Sequence, residues 1–204
     1  MKKKHQLPTI ADLQLNIDLA RLQKECDHLA GKFVDVKTAN PMLCMNHEDL
    51  VRDVYDNFQQ INLTTPSEIL PYTASVKERL RRKEEHLYNV PTTEYIGSVF
   101  EDIVSQCKSP ASRIRITKLD AGKEIPFHVD YDVSYAVRCI CPIYTDDLVV
   151  NQFKRDGKIE EYHLEAGKAY FLNIAYPHAV ISRSKNPRIA LMFSLDGQED
   201  LINL

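Results

Sequence analysis

Three residues in this chain have the types and spacing of a site that could hold a redox metal: His128, Asp130 and His178. His128-Val129-Asp130 closes the apolar segment Ile125-Pro126-Phe127, and His178 stands at the head of a second apolar stretch. On a strand, positions i and i+2 share a face, so His128 and Asp130 can reach one ion. Two imidazoles and one carboxylate form the facial triad of non-haem Fe(II) centres, which leaves coordination positions open for oxygen chemistry. The competing reading is a pair of satisfied core histidines.

His-x-acid is a weak signal by itself. With 7 histidines and 29 acids in 204 residues, chance gives about one such triplet, and the chain has three. His47-Glu48-Asp49 follows Asn46 and reads as the first turn of a helix, where acids complement the dipole and i, i+2 point apart. His163-Leu164-Glu165 lies in a segment whose Tyr162 and Leu164 read as inward, which turns His163 to solvent.

Arg188 strengthens the third triplet. It opens the segment 188–195, whose Ile189, Leu191, Phe193 and Leu195 form one apolar face. The opposite face, with Arg188, Ala190, Met192 and Ser194, suits a cavity lining. A buried arginine there needs an anion, because an unpaired guanidinium costs several kcal/mol. A dicarboxylate cosubstrate taken by a bidentate fork would supply one. Arg138 poses the same question in the apolar run 135–144. Val137, Cys139, Cys141 and Ile143 share a face fit for packing, which places Arg138 on the other. An acid from the N-terminal half in an internal ion pair would also satisfy it.

The elements that must position these residues change character near residue 110. The first half reads as helical: 13–29, stopped by Gly31; 46–58; a basic segment 73–87; and 91–104. In 73–87 Glu78, Glu84 and Glu85 are interleaved with the basic residues, so a solvated, salt-bridged face is expected rather than a nucleic-acid patch. The second half alternates as strands do, over 113–119, 135–144, 148–154, 159–164, 170–174, 179–183 and 188–195. Asp120-Ala-Gly122, Asp156-Gly157, Ala166-Gly167 and Asn186-Pro187 separate them as turns. The expectation is a mainly β protein with an α-helical N-terminal half. Residues 1–110 form a helical segment packed on a barrel core of residues 111–204, in one structural unit.

Composition narrows the class. The net charge of -3 gives no electrostatic argument for nucleic acid or an anionic membrane. No apolar run approaches a transmembrane length of about 18 residues. The 5 cysteines are odd in number and contain no Cys-x-x-Cys pair. Free thiols in a reducing, cytoplasmic setting are expected.

The stretch from Arg113 to Gly197 resembles the aspartyl/asparaginyl β-hydroxylase family. The resembling segments are Arg113-x-Arg115-x-x-x-Leu119, Gly122, Ile125-x-x-His128-x-Asp130 and Arg138-x-x-x-Pro142-Ile143. Gly167, Tyr170-Phe171-x-Asn173 and His178-x-Val180-x-x-x-Ser184-x-x-x-Arg188 continue the likeness. The resemblance implies a double-stranded β-helix (a cupin-like jelly roll) and an Fe(II)- and 2-oxoglutarate-dependent oxygenase using O2. Such an enzyme hydroxylates an aliphatic C–H of an amino acid or amino-acid residue, forming succinate and CO2. It further implies that His128, Asp130 and His178 are the catalytic metal ligands. Arg188 would pair with the distal carboxylate of 2-oxoglutarate, with Thr117 adding a hydroxyl, and Arg138 would bind a carboxylate of substrate or cosubstrate. Since Arg188 and iron already serve 2-oxoglutarate, a carboxylate-bearing amino acid or peptide substrate is the simplest partner for Arg138. The alternative from another class is a cupin-like metal-binding module, an isomerase or non-catalytic sensor. Such a module has no reason to keep a cavity-facing arginine at position 188. A halogenase is disfavoured because Asp130 fills the position that a halide would need.

Overall fold

The alternating pattern of the second half becomes antiparallel sheet, and parts of the first half join it. The computed structural model describes residues 2–39, 58–71 and 73–202. Its strands in chain order are β1 (Ile10–Asp12), β2 (Val34–Asp35), β3 (Phe58–Asn62), β4 (Thr64–Thr65), β5 (Val90–Pro91), β6 (Ala111–Leu119) and β7 (Glu124–His128). They continue with β8 (Val137–Tyr144), β9 (Val149–Arg155), β10 (Lys158–Tyr162), β11 (Tyr170–Leu172), β12 (His178–Ser182) and β13 (Arg188–Leu195). The helices are α1 (Leu19–His28), α2 (Val36–Ala39), α3 (Val76–Arg81), α4 (Glu84–Leu87) and α5 (Val99–Val104).

A large sheet runs in the order β1-β11-β8-β13-β6-β3-β2, and a small one in the order β10-β9-β12-β7. One face of the large sheet carries Val137, Cys139, Cys141, Ile143, Leu191, Phe193 and Leu195, packed with Leu22 and Cys26 of α1 and Phe100 and Ile103 of α5. The other face carries Ile140 and Ala190, which share a cluster with Phe153 of the small sheet. The alternation in β8 and β13 thus separates a helix-covered face from an inter-sheet face, as the pleat requires. Asp156-Gly157, with φ of 49° and 76°, makes the two-residue turn between β9 and β10. Left-handed angles at both positions match the twist of a hairpin, and the Asp-Gly pair tolerates them.

The helical N-terminal half is not found. The helix expected over 13–29 is shortened: residues 10–12, just before it, pair with β11, and Leu13 N–H continues with the carbonyl of Ala169 at 2.8 Å. The helix starts only at Leu19, where Asp18 caps the N–H of Arg21 at 3.0 Å. The expected helix 46–58 falls outside the described residues except Phe58, which begins a strand along β6. Residues 90–91 pair with β4, and the helix expected from 91 begins after the Ser98 cap. The basic segment breaks into α3 and α4 at Lys83, whose φ is 50°. At residues 58 and 90–91, and at Leu13, a sheet edge that needs hydrogen-bond partners outcompetes local helix preference.

Candidate active site

The inter-sheet space holds a cavity of about 670 Å³. Its lining includes His128, Asp130, His178, Arg138 and Arg188, which the sequence had singled out, and also Glu85, Arg113 and Arg115. A more open hollow of about 350 Å³ beside Tyr95, Cys107 and Pro110 contains none of these.

The small sheet supplies the histidines. His178, first in β12, pairs in register with His128, last in β7, and their rings stand 4.1 Å apart. Asp130 lies two residues beyond β7, anchored by its N–H to the carbonyl of Ile174 at 3.1 Å. His128 Nε2 is 3.9 Å from Asp130 Oδ1, and His178 Nε2 is 4.0 Å from Oδ2. One ligand atom from each of the three residues lies within 4.8 Å of the others. His128 Nδ1–H donates to the carbonyl of Pro126 at 2.9 Å, and His178 Nδ1–H to that of Tyr176 at 3.1 Å. Both bonds fix the ring direction and leave Nε2 as an acceptor, the orientation of metal-bound histidine. Burial, with help from neighbouring His128, lowers the His178 pKa to about 4. The imidazole is therefore neutral, the form a metal requires. Phe153 stacks on His178 at 5.7 Å and holds the ring.

The large sheet supplies the cations. Arg188 at the head of β13 is 4% exposed, and burial lowers its pKa to about 10. Among the described residues it has no carboxylate within ion-pair distance. Thr117 is 1% exposed, donates its hydroxyl to the carbonyl of Ala190 at 3.2 Å and does not line the cavity.

Arg138 has an internal partner, the second of the two readings its sequence context allowed. Its Nη2 donates to Glu85 Oε1 at 2.9 Å. The same oxygen accepts from Ser194 Oγ at 2.7 Å, and Oε2 lies 3.4 Å from Arg113 Nε. Burial alone would raise the Glu85 pKa, but Arg138, Arg113 and Arg115 outweigh it and hold the carboxyl at about 2. Glu85 is 1% exposed, whereas the sequence placed it on a solvated face.

Arg113 sits at φ 48° in a bulge of β6, where the register with β13 shifts between Met192 and Ser194. Its backbone N–H reaches the carbonyl of Tyr88 at 2.7 Å, and its guanidinium lies 4.4 Å from the Tyr88 ring centre. A bulge re-aims a side chain at the cost of strain, which Glu85 and Tyr88 offset here.

Glu85 and Arg115 are the cavity residues whose roles sequence reasoning missed. Ile114 and Ile116 point into the core, so alternation alone turns Arg115 toward the cavity. Nothing local marks Glu85, since its partners lie on strands far along the chain.

The sequence profile of the aspartyl/asparaginyl beta-hydroxylase family matches residues 43–196. The chain belongs to that family. It is accordingly an enzyme of the 2-oxoglutarate- and Fe(II)-dependent dioxygenase kind. No curated protein matches it. Among solved structures, a Pseudomonas putida prolyl-4-hydroxylase superposes with a TM-score of 0.50 at 16% identity, over 91% of this chain and 90% of that one. A 2OG-Fe(II) oxygenase family oxidoreductase from Burkholderia pseudomallei gives 0.45 at 15% identity, over 86% and 78%. A cupin domain from Bordetella pertussis gives 0.33 at 15% identity, over 43% and 82%. No helix among the described residues is long and apolar enough to cross a membrane.

Proposed function

We propose that this family member hydroxylates an aliphatic C–H of an amino acid or amino-acid residue, converting 2-oxoglutarate and O2 to succinate and CO2. Fe(II) would be held by Nε2 of His128 and His178 and the carboxylate of Asp130. Arg188 would hold the distal carboxylate of 2-oxoglutarate, while Thr117 on the neighbouring strand, outside the cavity lining, would act only by bonding the Ala190 carbonyl behind it. When bound, iron would supply the place where O2, the oxidant, is reduced at the expense of 2-oxoglutarate and an unactivated C–H bond.

The single observation that carries this reading is Arg188. A buried guanidinium with no acidic partner among the described residues stands in the same cavity as the three convergent ligands. A protein that only stored or sensed a metal would have no use for it. A dianion spanning from metal to arginine would satisfy both.

The residues divide the work. Pro126 and Tyr176 carbonyls keep the two Nε2 atoms aimed at one point. Arg188 orients the cosubstrate by its fork. Phe153, Ile140 and Met192 give the cavity an apolar lining that excludes water from a reacting centre. The substrate is an amino acid or peptide bearing a carboxylate, since the cavity is rich in arginine. The described cysteines, Cys26, Cys107, Cys139 and Cys141, are all free, which supports a reducing, cytoplasmic setting.

Anaerobic titration with Fe(II) and then 2-oxoglutarate tests the reading. One iron per chain is expected, followed by one 2-oxoglutarate with a visible charge-transfer band and, in air, succinate release. Iron binding without any response to 2-oxoglutarate would instead support the metal-binding module.

A further inference from the structure

The loop between β11 and β12, residues 173–177, reaches two of the three metal-ligand candidates. The carbonyl of Ile174 accepts from the Asp130 N–H at 3.1 Å, and that of Tyr176 accepts from His178 Nδ1–H at 3.1 Å. The His128 ring is held differently, by the Pro126 carbonyl of its own strand. Where this loop sits therefore sets the direction of Asp130 and His178 together, with no hydrogen bond to the His128 ring.

The loop is in turn fixed at Asn173. Its backbone N–H donates to the carbonyl of Thr9 at 2.9 Å, and its own carbonyl accepts from Tyr176 N–H at 3.1 Å, which closes a turn. Its side-chain amide donates to two further carbonyls, that of Lys4 at 2.9 Å and that of Pro8 at 3.3 Å. Lys4 reaches back. Its ammonium lies 3.5 Å from the Ala175 carbonyl and 5.2 Å from the centre of the Tyr176 ring. Residues 4–9 and the loop thus hold each other through Asn173 and Lys4.

Asn173 is 0% exposed and lines no part of the cavity. Its Oδ1 has no partner among the described residues. A buried acceptor left empty costs free energy, so an apolar side chain would be the more stable choice unless the two donors matter. Leucine is close in size and donates nothing. Aspartate would set a carboxylate against two carbonyls. Of the three, only the amide offers two N–H donors at that place. What those donors fix is the loop that carries the Ile174 and Tyr176 carbonyls.

We propose, resting on the metal-ligand assignment above, that Asn173 is a positioning residue of the metal centre. Its amide, anchored on residues 4–9, places the two carbonyls that aim Asp130 and His178. It acts through the backbone and touches neither metal nor substrate.

The test uses Co(II) on the full chain, whose visible bands report ligand geometry, and heteronuclear NMR of the metal-free protein, which reports imidazole tautomers. Asn173→Leu is expected to weaken Co(II) binding by about 10–100-fold, the usual cost of losing a partner behind the ligands, and to shift the bands. Without metal, His178 should no longer be held as the Nδ1–H tautomer, while His128 keeps its own. A merely structural role would loosen both rings alike or neither. Lys4→Met, at an exposed position, should weaken Co(II) in the same direction by a smaller factor. In the double variant the two effects should not add, because both act on one loop. Unchanged Co(II) affinity and bands in Asn173→Leu, with the fold intact by circular dichroism, overturn the proposal. So does an equal tautomer change at both histidines. If Asn173→Leu does not fold, Lys4→Met decides, and an unchanged His178 tautomer with unchanged Co(II) affinity there overturns the proposal. A parent protein that binds no Co(II) overturns the metal-ligand assignment, and this proposal with it.

Discussion

On the small sheet, the metal-binding candidates are held lightly. The side chains of His128 and Asp130 are 40% and 37% exposed, His178 alone is buried at 10%, and only backbone carbonyls and one stacked ring fix the imidazoles. On the large sheet, Arg113, Arg138 and Arg188 are 7%, 4% and 4% exposed, and two of them converge on a glutamate brought in from another part of the chain. The difference follows from what each wall must hold. Metal ligands are neutral or solvated before the ion arrives, and the ion's own binding energy draws them together. A buried guanidinium is charged from the start, so its counter-ion must come from the fold or from a ligand. The metal wall can therefore be sparse, while the arginine wall must be built.

The sharpest way to break this comparison is to remove a metal ligand. His128→Ala, Asp130→Ala and His178→Ala are each expected to abolish iron retention and turnover, with the far-UV spectrum unchanged, because two ligands do not hold a labile divalent ion. Iron stoichiometry and succinate release measure this, and full occupancy in any variant would remove that residue from the site. Glu85→Ala should do the opposite. It should leave the metal ligands in place but destabilise the fold by about 3–5 kcal/mol in urea unfolding, since it strands two buried arginines. Unchanged stability would mean that the arginine wall is solvated after all.

Arg188→Ala should raise the 2-oxoglutarate requirement by about 30-fold or more, with Arg188→Lys recovering only part. A requirement equal to that of the parent enzyme would return the metal-module reading to favour. In the iron-free protein, acid should act on the two walls in turn. Burial lowers the His178 pKa from 6.5 to about 4, so below pH 6.5 the unfolded chain takes up this proton first. Stability falls with pH, and this contribution is gone near pH 4. The Glu85 pKa is lowered from 4.5 to about 2, so its contribution holds above pH 4.5 and is lost as pH falls toward 2. Acid unfolding of His178→Ala should lack the first loss and keep the second. The smallest effect is expected from Thr117→Val, a change in 2-oxoglutarate requirement below about tenfold, because the hydroxyl already serves a carbonyl. A larger change would bring Thr117 into direct contact with the cosubstrate.

Legibility in the sequence followed the same division. The convergence of His128, Asp130 and His178 was legible from ligand type, although Asp130 lies beyond the end of β7 and not on it, and the faces of β8 and β13 were legible because a pleat has a period of two. The N-terminal half misled at Leu13 and Phe58, where the helical spacing read over 13–29 and 46–58 runs into segments that pair as strands. What decides them is the open edges of β11 and β6, which lie more than fifty residues further along the chain. Glu85 was hidden for a related reason. In Glu84-Glu85 the first pairs with Arg79 and the second is buried against Arg138 and Arg113, and no local rule distinguishes the two. Arg115 was visible in principle, alternating with two isoleucines, but its part in holding the Glu85 charge only emerges once Glu85 is seen to be buried.

The α4 segment also bears on modularity. Glu85 plugs the arginine wall, the His86 ring reaches Ser112 Oγ at 2.9 Å and the carbonyl of Tyr135 at 2.8 Å, and Tyr88 accepts from the strained Arg113. The sheets that carry the site are thus joined by a clasp encoded before them, and the expected outcome is that residues 111–204 are not an excisable module. Expressed alone, that fragment should remain molten, with interior arginines inviting water into its core. Adding a synthetic peptide of residues 73–91 should restore near-UV dichroism, and Glu85→Gln in the peptide should weaken that rescue. A fragment that folds without the peptide would show that the clasp is ornamental to assembly.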